Sequence, residues 1–517
     1  DSSGGVHDLS EMDTKQRAAF RKDLRTRGLD PRTLKVDEGW RHIPLFHPIY
    51  TLYAGLDVIY THRLHTALSA KVRLMGMTKL ADFEHKVFRA CLQMQLKGLL
   101  IDQPYLTELG QQFRDEADRN EEDARKYGVE KIGAPAQVAA AMLEMGEKLR
   151  AKTASGNYKM DKAVLYRLAD LNQENDEPLN SRTPNPLAVS ILKAKRAEKW
   201  RSSYVDKTLS LLDKNGRVHP SIRSLQARTA RMSISDPPYQ QLPSSDYLVR
   251  SGVIGGPGNV ILSTDYDQIE MRVAGAFAGE RKMIDAARAG LSQHIVTAKA
   301  IFGDNFNKNT MPKEYKIAKN AGFGSVYGGG APTLSMQTGL PLEKAQEIVK
   351  LFRDGFPALT QWKREIGQQV LEDALSESEL KKHRKCVIQM FEAETDQDRT
   401  FWRREASAIC RGKYATITTP IGRVLPVEAE FSYKVSNYYV QSTARDILAS
   451  ALLRLVDSSL SSGLLLPIHD EVLAEAPAHE AEEYVRQMGE IMTTEFMGVP
   501  ISAEGKVHGR SWGDGYR

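Results

Sequence analysis

The chain has 517 residues and a formal net charge of only +5. That length exceeds one ordinary hydrophobic core and predicts about three domains. So small a charge excludes a uniformly basic coat, and any nucleic-acid contact must rest on local basic stripes. Cys91, Cys386 and Cys410 form neither a paired framework nor a CxxC motif, which fits a reducing compartment. There is no apolar run of membrane-spanning length and no signal peptide. The chain opens at Asp1 rather than Met, which points to processing or trimming.

Residues 1–79 are charged and helical in pattern, with Tyr53 and Asp57 one turn apart in HPIYTLYAGLDVIYTHRL. Residues 80–211 read as long helices. They contain MQLKGLLID (Met94–Asp102) and a Lys/Gly/Ser-rich loop, KLRAKTASGNYK (Lys148–Lys159), suited to crossing a duplex backbone. In KAKRAEKWRSSYVDKTL, Lys193, Lys195, Arg196, Lys199 and Arg201 form a basic face beside Trp200 and Tyr204. Tracking of duplex phosphates and plain solvation are equally open readings of it.

In NVILSTDYDQIEMRVAG (Asn259–Gly275), the apolar strand Val260–Leu262 runs into Asp265, and a helical pattern begins at about Gln268. Farther on, KEYKIAKNAGFGSVYGGG (Lys313–Gly330), read as a helix, places Lys319, Phe323 and Tyr327 on one face. A cation, a ring and a phenol in that order suit a triphosphate, a base and a sugar. An amphipathic core helix with a snorkelling lysine is the competing reading. Gly322 and Gly324 each cost about 1 kcal/mol against Ala in a helix, which makes sense if a backbone or ligand must approach closely.

A highly charged stretch follows, about Leu371 to Lys413, with KKHRK (Lys381–Lys385) and FWRRE (Phe401–Glu405). A solvated helical insertion is its simplest reading, with a basic surface for DNA or a replication partner as the other. His383 near Cys386 lacks the four-ligand pattern of a zinc site.

In LLLPIHDEVLAEAP (Leu464–Pro477), the apolar runs Leu464–Ile468 and Val472–Ala474 flank His469-Asp470-Glu471, a short hairpin with carboxylates at its tip. Packing needs no charged tip, and adjacent like charges raise each other's pKa unless a cation sits on them. Asp265 and Asp470, two strand-end aspartates from distant segments, therefore suit a divalent-metal site for phosphoryl transfer.

These three segments resemble motifs A, B and C of the family A DNA polymerases. DYDQIEMR (Asp265–Arg272) is similar to the family's DYSQIELR, and Lys319 with FGSVYG (Phe323–Gly328) matches its Lys-x3-Phe-Gly-x2-Tyr-Gly. HDE (His469–Glu471) matches without change. RTARMSISDPPYQQLP (Arg228–Pro243), NYYVQSTARDI (Asn437–Ile447) and GRSWGD (Gly509–Asp514) resemble further family segments, all in family order.

The resemblance implies an α+β, right-hand polymerase fold with an antiparallel-sheet palm and helical fingers and thumb. Its divisions would be an exonuclease-domain remnant over 1–79, a thumb over 80–211 and a first palm part over 212–290. Fingers over 291–430 would carry the charged insertion near 371–413, and 431–517 would complete the palm. The implied activity is template-directed addition of deoxynucleotides to a primer 3′ end, with primer-template DNA and deoxynucleoside triphosphates as partners. Two Mg²⁺ ions, replaceable by Mn²⁺, would sit on Asp265, Asp470 and Tyr266, with Glu471 supporting. Lys319 would neutralise developing phosphate charge, and His294, in LSQHIVTAKAIFG, would stand near the β-phosphate. Phe323 would stack on the incoming sugar and base, and Tyr327 would close the pocket. Glu270 would be the steric gate against a 2′-hydroxyl, paired to that tyrosine. Arg231, Gln268, Gln441 and His469 would sense minor-groove acceptors and the primer terminus, which report pairing geometry rather than sequence; Asn437 joins them as a DNA contact. The expected form is a monomer without membrane attachment, in a bacterial or phage-infected host cytoplasm near the nucleoid.

Several positions depart from the family pattern. Tyr315 stands where an Arg is usual, with Lys316 or Lys313 as candidate substitutes, and Asp267 stands where a Ser is usual. Ala230 and Ser442 replace glycines, which implies that neither site demands positive φ. Pro467 fits its strand only if its missing N–H faces no partner. Two other classes remain: a single-subunit RNA polymerase, opposed by Glu270 and the QSTARD segment, and an inactive DNA-binding scaffold, opposed by intact Asp265, Lys319 and Asp470. Proofreading is not expected. No DxE pair precedes Asp57, and Asp8, Glu11, Asp13, Asp23 and Asp30 lack strand-end placement.

Overall fold

Two units make up the chain, Asp1–Asp82 and Phe83–Arg517. The structure, a computed structural model, describes residues 14–26, 44–173, 176–243 and 246–517. Asp8, Glu11, Asp13 and Asp30 lie outside the described residues. In the first unit the described residues form the helices Thr14–Thr26 and Pro48–Leu74. Proline opens the second of these, where its missing N–H has no helical partner to lose. Tyr53 and Asp57 are hydrogen-bonded there side chain to side chain, and the carboxylate raises the phenol's pKa.

The second unit begins with helices that Asp102 and Asn185 cap through their side chains. Helix Gln103–Arg125 packs on Pro186–Trp200 through an edge-to-face pair, Phe113 and Trp200, with centroids 5.6 Å apart. The chain then passes through a wide helical turn, Arg201–Asp206, where buried Tyr204 donates to the Gln241 carbonyl at 2.9 Å. The two aromatics are thus core packing. On the basic face, Arg196 pairs with Asp176 and Arg201 with Glu198 and Asp206, leaving Lys193, Lys195 and Lys199 exposed.

An antiparallel four-stranded sheet lies at the centre, built from β1 (Asn259–Tyr266), β2 (Leu464–Ile468), β3 (Glu471–Pro477) and β4 (Ala503–Gly509), in the order β4-β1-β3-β2. All of β2 is buried, yet it is an edge strand, so Pro467 removes no ladder bond on its open side. Helices α1 (Ile269–Ala278), α2 (Gln293–Phe302) and α3 (Pro312–Val326) follow β1, and a long helix, α4 (Val435–Val456), precedes β2. Ser442 lies inside α4, in ordinary helical backbone.

Ala230 corrects the sequence reading: it holds φ +62°. Its N–H donates to the Ala227 carbonyl at 2.8 Å, closing a tight turn that demands the left-handed region. An alanine there carries about 1–2 kcal/mol of strain that a glycine would not.

The charged stretch forms two helices packed on each other, Glu377–Glu392 and Asp396–Cys410. Ser376 and Glu379 make a capping box at the first, and Thr395 caps the second. Lys381 pairs with Glu377 and Arg384 with Glu372, so part of the KKHRK charge is neutralised locally.

Candidate active site

Strand pairing assembles the acidic centre. In the β1–β3 ladder Glu471 stands opposite Asp265. His469 and Asp470 form the two-residue turn between β2 and β3, with His469 at φ +56°. The Tyr266 N–H donates to the Asp470 carbonyl at 3.3 Å. Three acids from two distant segments therefore share one end of the sheet. Asp265 keeps solvent access although protein surrounds it on most sides. Desolvation, then Asp470 and Glu471, push its pKa well up. Desolvation likewise raises Asp470 and Glu471. None of the three forms an ion pair among the described residues.

Such a cluster has the donor chemistry of a hard divalent cation. Among the described residues no group of three or more His, Cys, Asp or Glu makes a complete cage. None is needed where one or two carboxylates and substrate phosphates complete the shell. Tyr266 can offer only its backbone oxygen, because its buried hydroxyl donates to the Met492 carbonyl at 2.7 Å.

The adjoining turn is held by charge. Asp267 is ion-paired to Arg272, which is fully buried and also donates to the Pro500 carbonyl at 2.9 Å. That partner accounts for an aspartate where the family carries serine. Gln268, at φ +51°, accepts from the His294 N–H (3.0 Å) and the Ser292 hydroxyl (3.2 Å). Its amide oxygen thus ties the start of α1 to the start of α2.

On α3 the stripe takes shape as an aromatic ladder. Phe323 lies 5.1 Å from the His294 ring and 6.3 Å from Tyr327, nearly parallel to the latter. Lys319 is exposed one turn before Phe323. Burial, then Lys319, lower His294 to about 4, so its imidazole is neutral at pH 7. On this face Lys319 is solvent-accessible and Phe323 and Tyr327 are only half-buried, so the stripe is not a fully buried core seam.

The glycine expectation needs moving. A Cβ on Gly324 would meet open space, and one on Gly322 would make ordinary contacts. The tight approach is at Gly328 and Gly329. Gly328 has φ +80° and backs onto Tyr433, while the Gly329 N–H donates to the Gly324 carbonyl at 2.6 Å.

Glu270 is buried and ion-paired with Arg231, not with Tyr327 as the resemblance implied. A desolvated carboxylate takes the nearest cation; burial still pushes it up to about 7 against the pull of Arg231. Both line a small cavity with Gln240, His469 and Asp470. Asn437 donates to the Tyr327 carbonyl at 3.0 Å, so it braces the end of α3 rather than standing free for DNA. Gln441 is half-buried with no hydrogen bond among the described residues.

Two contributors are not singled out in the sequence, although Gln240 lies within the Arg228–Pro243 segment. Gln240 clamps His469: the ring Nε2 lies 3.0 Å from the Gln240 carbonyl, and Nδ1 lies 3.4 Å from the Gln240 amide. Arg250 is buried between Trp512 and Tyr516, 4.8 and 4.5 Å from their ring centroids, and its field reaches Glu471. Only the fold brings the C-terminal segment beneath the acids.

Comparison with known proteins gives the family and the fold. The family described as DNA polymerase family A matches residues 103–514. The chain is 34% identical to a DNA polymerase of Mycobacterium phage D29 over 98% of its length and 75% of the relative's. It is 31% identical to that of Mycobacterium phage L5 over 100% and 77%. A DNA polymerase I of Chloroflexus aurantiacus is 28% identical over 89% of the chain but only 46% of its own length. Among solved structures, the polymerase domain of Pol1 from M. smegmatis, in complex with DNA primer-template and dNTP, superposes with a TM-score of 0.69 at 22% identity. That match covers 88% of this chain and 74% of the other. The chain belongs to DNA polymerase family A, and it is a DNA-directed DNA polymerase with the mixed helix-and-sheet fold of that family.

Proposed function

We propose that Asp265 and Asp470 are the metal-holding carboxylates of primer extension, with Glu471 supporting them and the Tyr266 backbone oxygen beside them. The observation that carries this is the strand register that puts Glu471 opposite Asp265 and Asp470 at the adjoining turn. Bound Mg²⁺, two ions with Mn²⁺ able to substitute, would lower the pKa of the primer 3′-hydroxyl and carry the charge of the leaving pyrophosphate. Lys319 neutralises phosphate charge, neutral His294 donates to the triphosphate, and Phe323 offers its face to the incoming sugar and base. Tyr327 closes the pocket, held by Asn437. Arg231, Gln441 and His469 read the minor groove, the last through the tautomer that Gln240 selects. The partners on this reading are primer-template DNA and deoxynucleoside triphosphates. The domain reading places the thumb in residues 80–211 and the fingers in 291–430, the rest of 212–517 forming the palm. Extension of a primed template by the purified chain with Mg²⁺, dependent on all four deoxynucleotides, tests it; failure to extend would refute it.

Sugar selection provides a second test. Glu270 lines a small cavity with Asp470 and is paired to Arg231, and on this reading its carboxylate excludes a 2′-hydroxyl. Glu270→Ala should reduce discrimination against ribonucleotides on the order of 10- to 200-fold, the range for a steric pocket change. Phe323→Tyr should improve dideoxynucleotide use, a phenol standing in for the missing 3′-hydroxyl contact. Unchanged selectivity in both variants, by competitive single-nucleotide incorporation, would mean that the pocket lies elsewhere.

The 517-residue chain should not shorten a 3′-mismatched primer in Mg²⁺ without nucleotides. Tyr53 and Asp57 hydrogen-bond each other on one helix, whereas exonuclease chemistry needs several carboxylates around one phosphate. Progressive shortening that Asp57→Ala removes would contradict this.

A further inference from the structure

The loop between α2 and α3 carries a lysine that no motif singles out. Lys308 holds its ammonium 4.9 Å from the centroid of the Tyr315 ring. Tyr315 is itself fixed from two sides. It stacks on buried Phe306 (6.5 Å, 19°) and meets His294 edge-to-face at 6.3 Å. The loop is shaped by Asn307, whose side chain accepts from the Asn309 N–H at 2.9 Å. Tyr315 lies one helical turn before Lys319, so the two lysines approach the His294 imidazole from different elements. Both fields reach that ring and help to hold it neutral. Lys316, by contrast, is ion-paired with Glu177 and so is drawn elsewhere. Neither Lys308 nor Lys319 forms an ion pair among the described residues. A cation resting on an aromatic face is oriented but not neutralised, and its remaining N–H donors stay available. Lys308 on its ring and the exposed Lys319, on either side of a neutral donor, make an anion subsite, and in this location the anion is a polyphosphate.

We propose that Lys308, positioned by Tyr315, is a third contact for the triphosphate of the incoming nucleotide, beside Lys319 and His294. This rests on the reading of α3 as the nucleotide-binding helix. The lysine acts on binding rather than on the chemical step, because it stands on a loop against Tyr315, and Tyr315, not the lysine, meets the imidazole. Removing one charge-assisted contact should raise the nucleotide KM by about tenfold, while kcat changes less than about twofold. Tyr315→Ala should give the same phenotype, and the double variant should be no worse than either single one, since both remove one contact. Lys308→Arg should keep the wild-type KM. Tyr315→Arg combined with Lys308→Ala should recover it, because it restores a cation one turn before Lys319.

Steady-state single-nucleotide incorporation on a primed template, with thermal unfolding of each variant alongside, decides the matter. An unchanged KM in Lys308→Ala overturns the proposal. So does a parallel fall in kcat and melting temperature, which would make Lys308 a loop support only. If the unaltered chain fails to extend primers, the functional reading itself falls. Extension with an unchanged nucleotide KM removes the role of Lys308 alone.

Discussion

Asp265→Ala and Asp470→Ala are each expected to abolish primer extension, by at least about three orders of magnitude, while duplex binding survives. A cluster of acids that is desolvated and forms no ion pair among the described residues does not help the fold. Desolvation raises all three pKa values, so each alanine relieves repulsion and should leave the melting temperature equal or higher. Duplex affinity rests on Lys and Arg contacts to phosphates, which neither variant touches. The informative comparison pairs extension in Mg²⁺ with DNA binding by anisotropy at one salt concentration. Near wild-type extension by either variant would remove that residue from the centre. Loss of DNA binding together with extension would make the cluster structural. Glu471→Ala should fall between, because Glu471 is opposite Asp265 in the ladder and hydrogen-bonds Ser263 rather than standing at the turn.

Lys319→Ala should lower the maximal rate of incorporation by about 10²- to 10³-fold, the usual effect of removing one preorganised charge from a developing oxyanion. The side chain is exposed and without an ion pair among the described residues, so its loss should leave the melting temperature unchanged. Single-turnover incorporation at saturating nucleotide isolates the step. There the Lys319 variant should remain slow at any nucleotide concentration, whereas the Lys308 variant should recover. A Lys319 variant that also recovers at high nucleotide would show that the lysine serves binding only.

Much of the site was legible because its parts are local. Asp265 follows an apolar run that can only be a buried strand, and Gln268 marks the helix start observed one residue later. The spacing of Lys319, Phe323 and Tyr327 follows from 3.6 residues per turn, and the hairpin around His469 and Asp470 from two apolar runs three residues apart. The errors share one cause. Glu270 was assigned to Tyr327 and Asn437 to DNA, yet Arg231 and the Tyr327 carbonyl take them. Partner choice depends on which groups the fold desolvates together, and spacing along the chain does not encode that. The left-handed Ala230 was missed because side-chain identity only biases φ, while a turn closed by several hydrogen bonds can impose it.

Motifs and periodicity along the chain identify the family, the strand and helix that bear each acid and cation, and the three segments that build the site. Periodicity and turn chemistry act over a few residues and survive without tertiary information. Folding alone sets the register of Glu471 against Asp265, the Gln240 clamp on His469 and the neutralisation of Asp267 by Arg272. It alone also sets Lys308 on Tyr315. These are contacts between elements distant in the chain, and their energies come from shared burial, which exists only once the chain has folded.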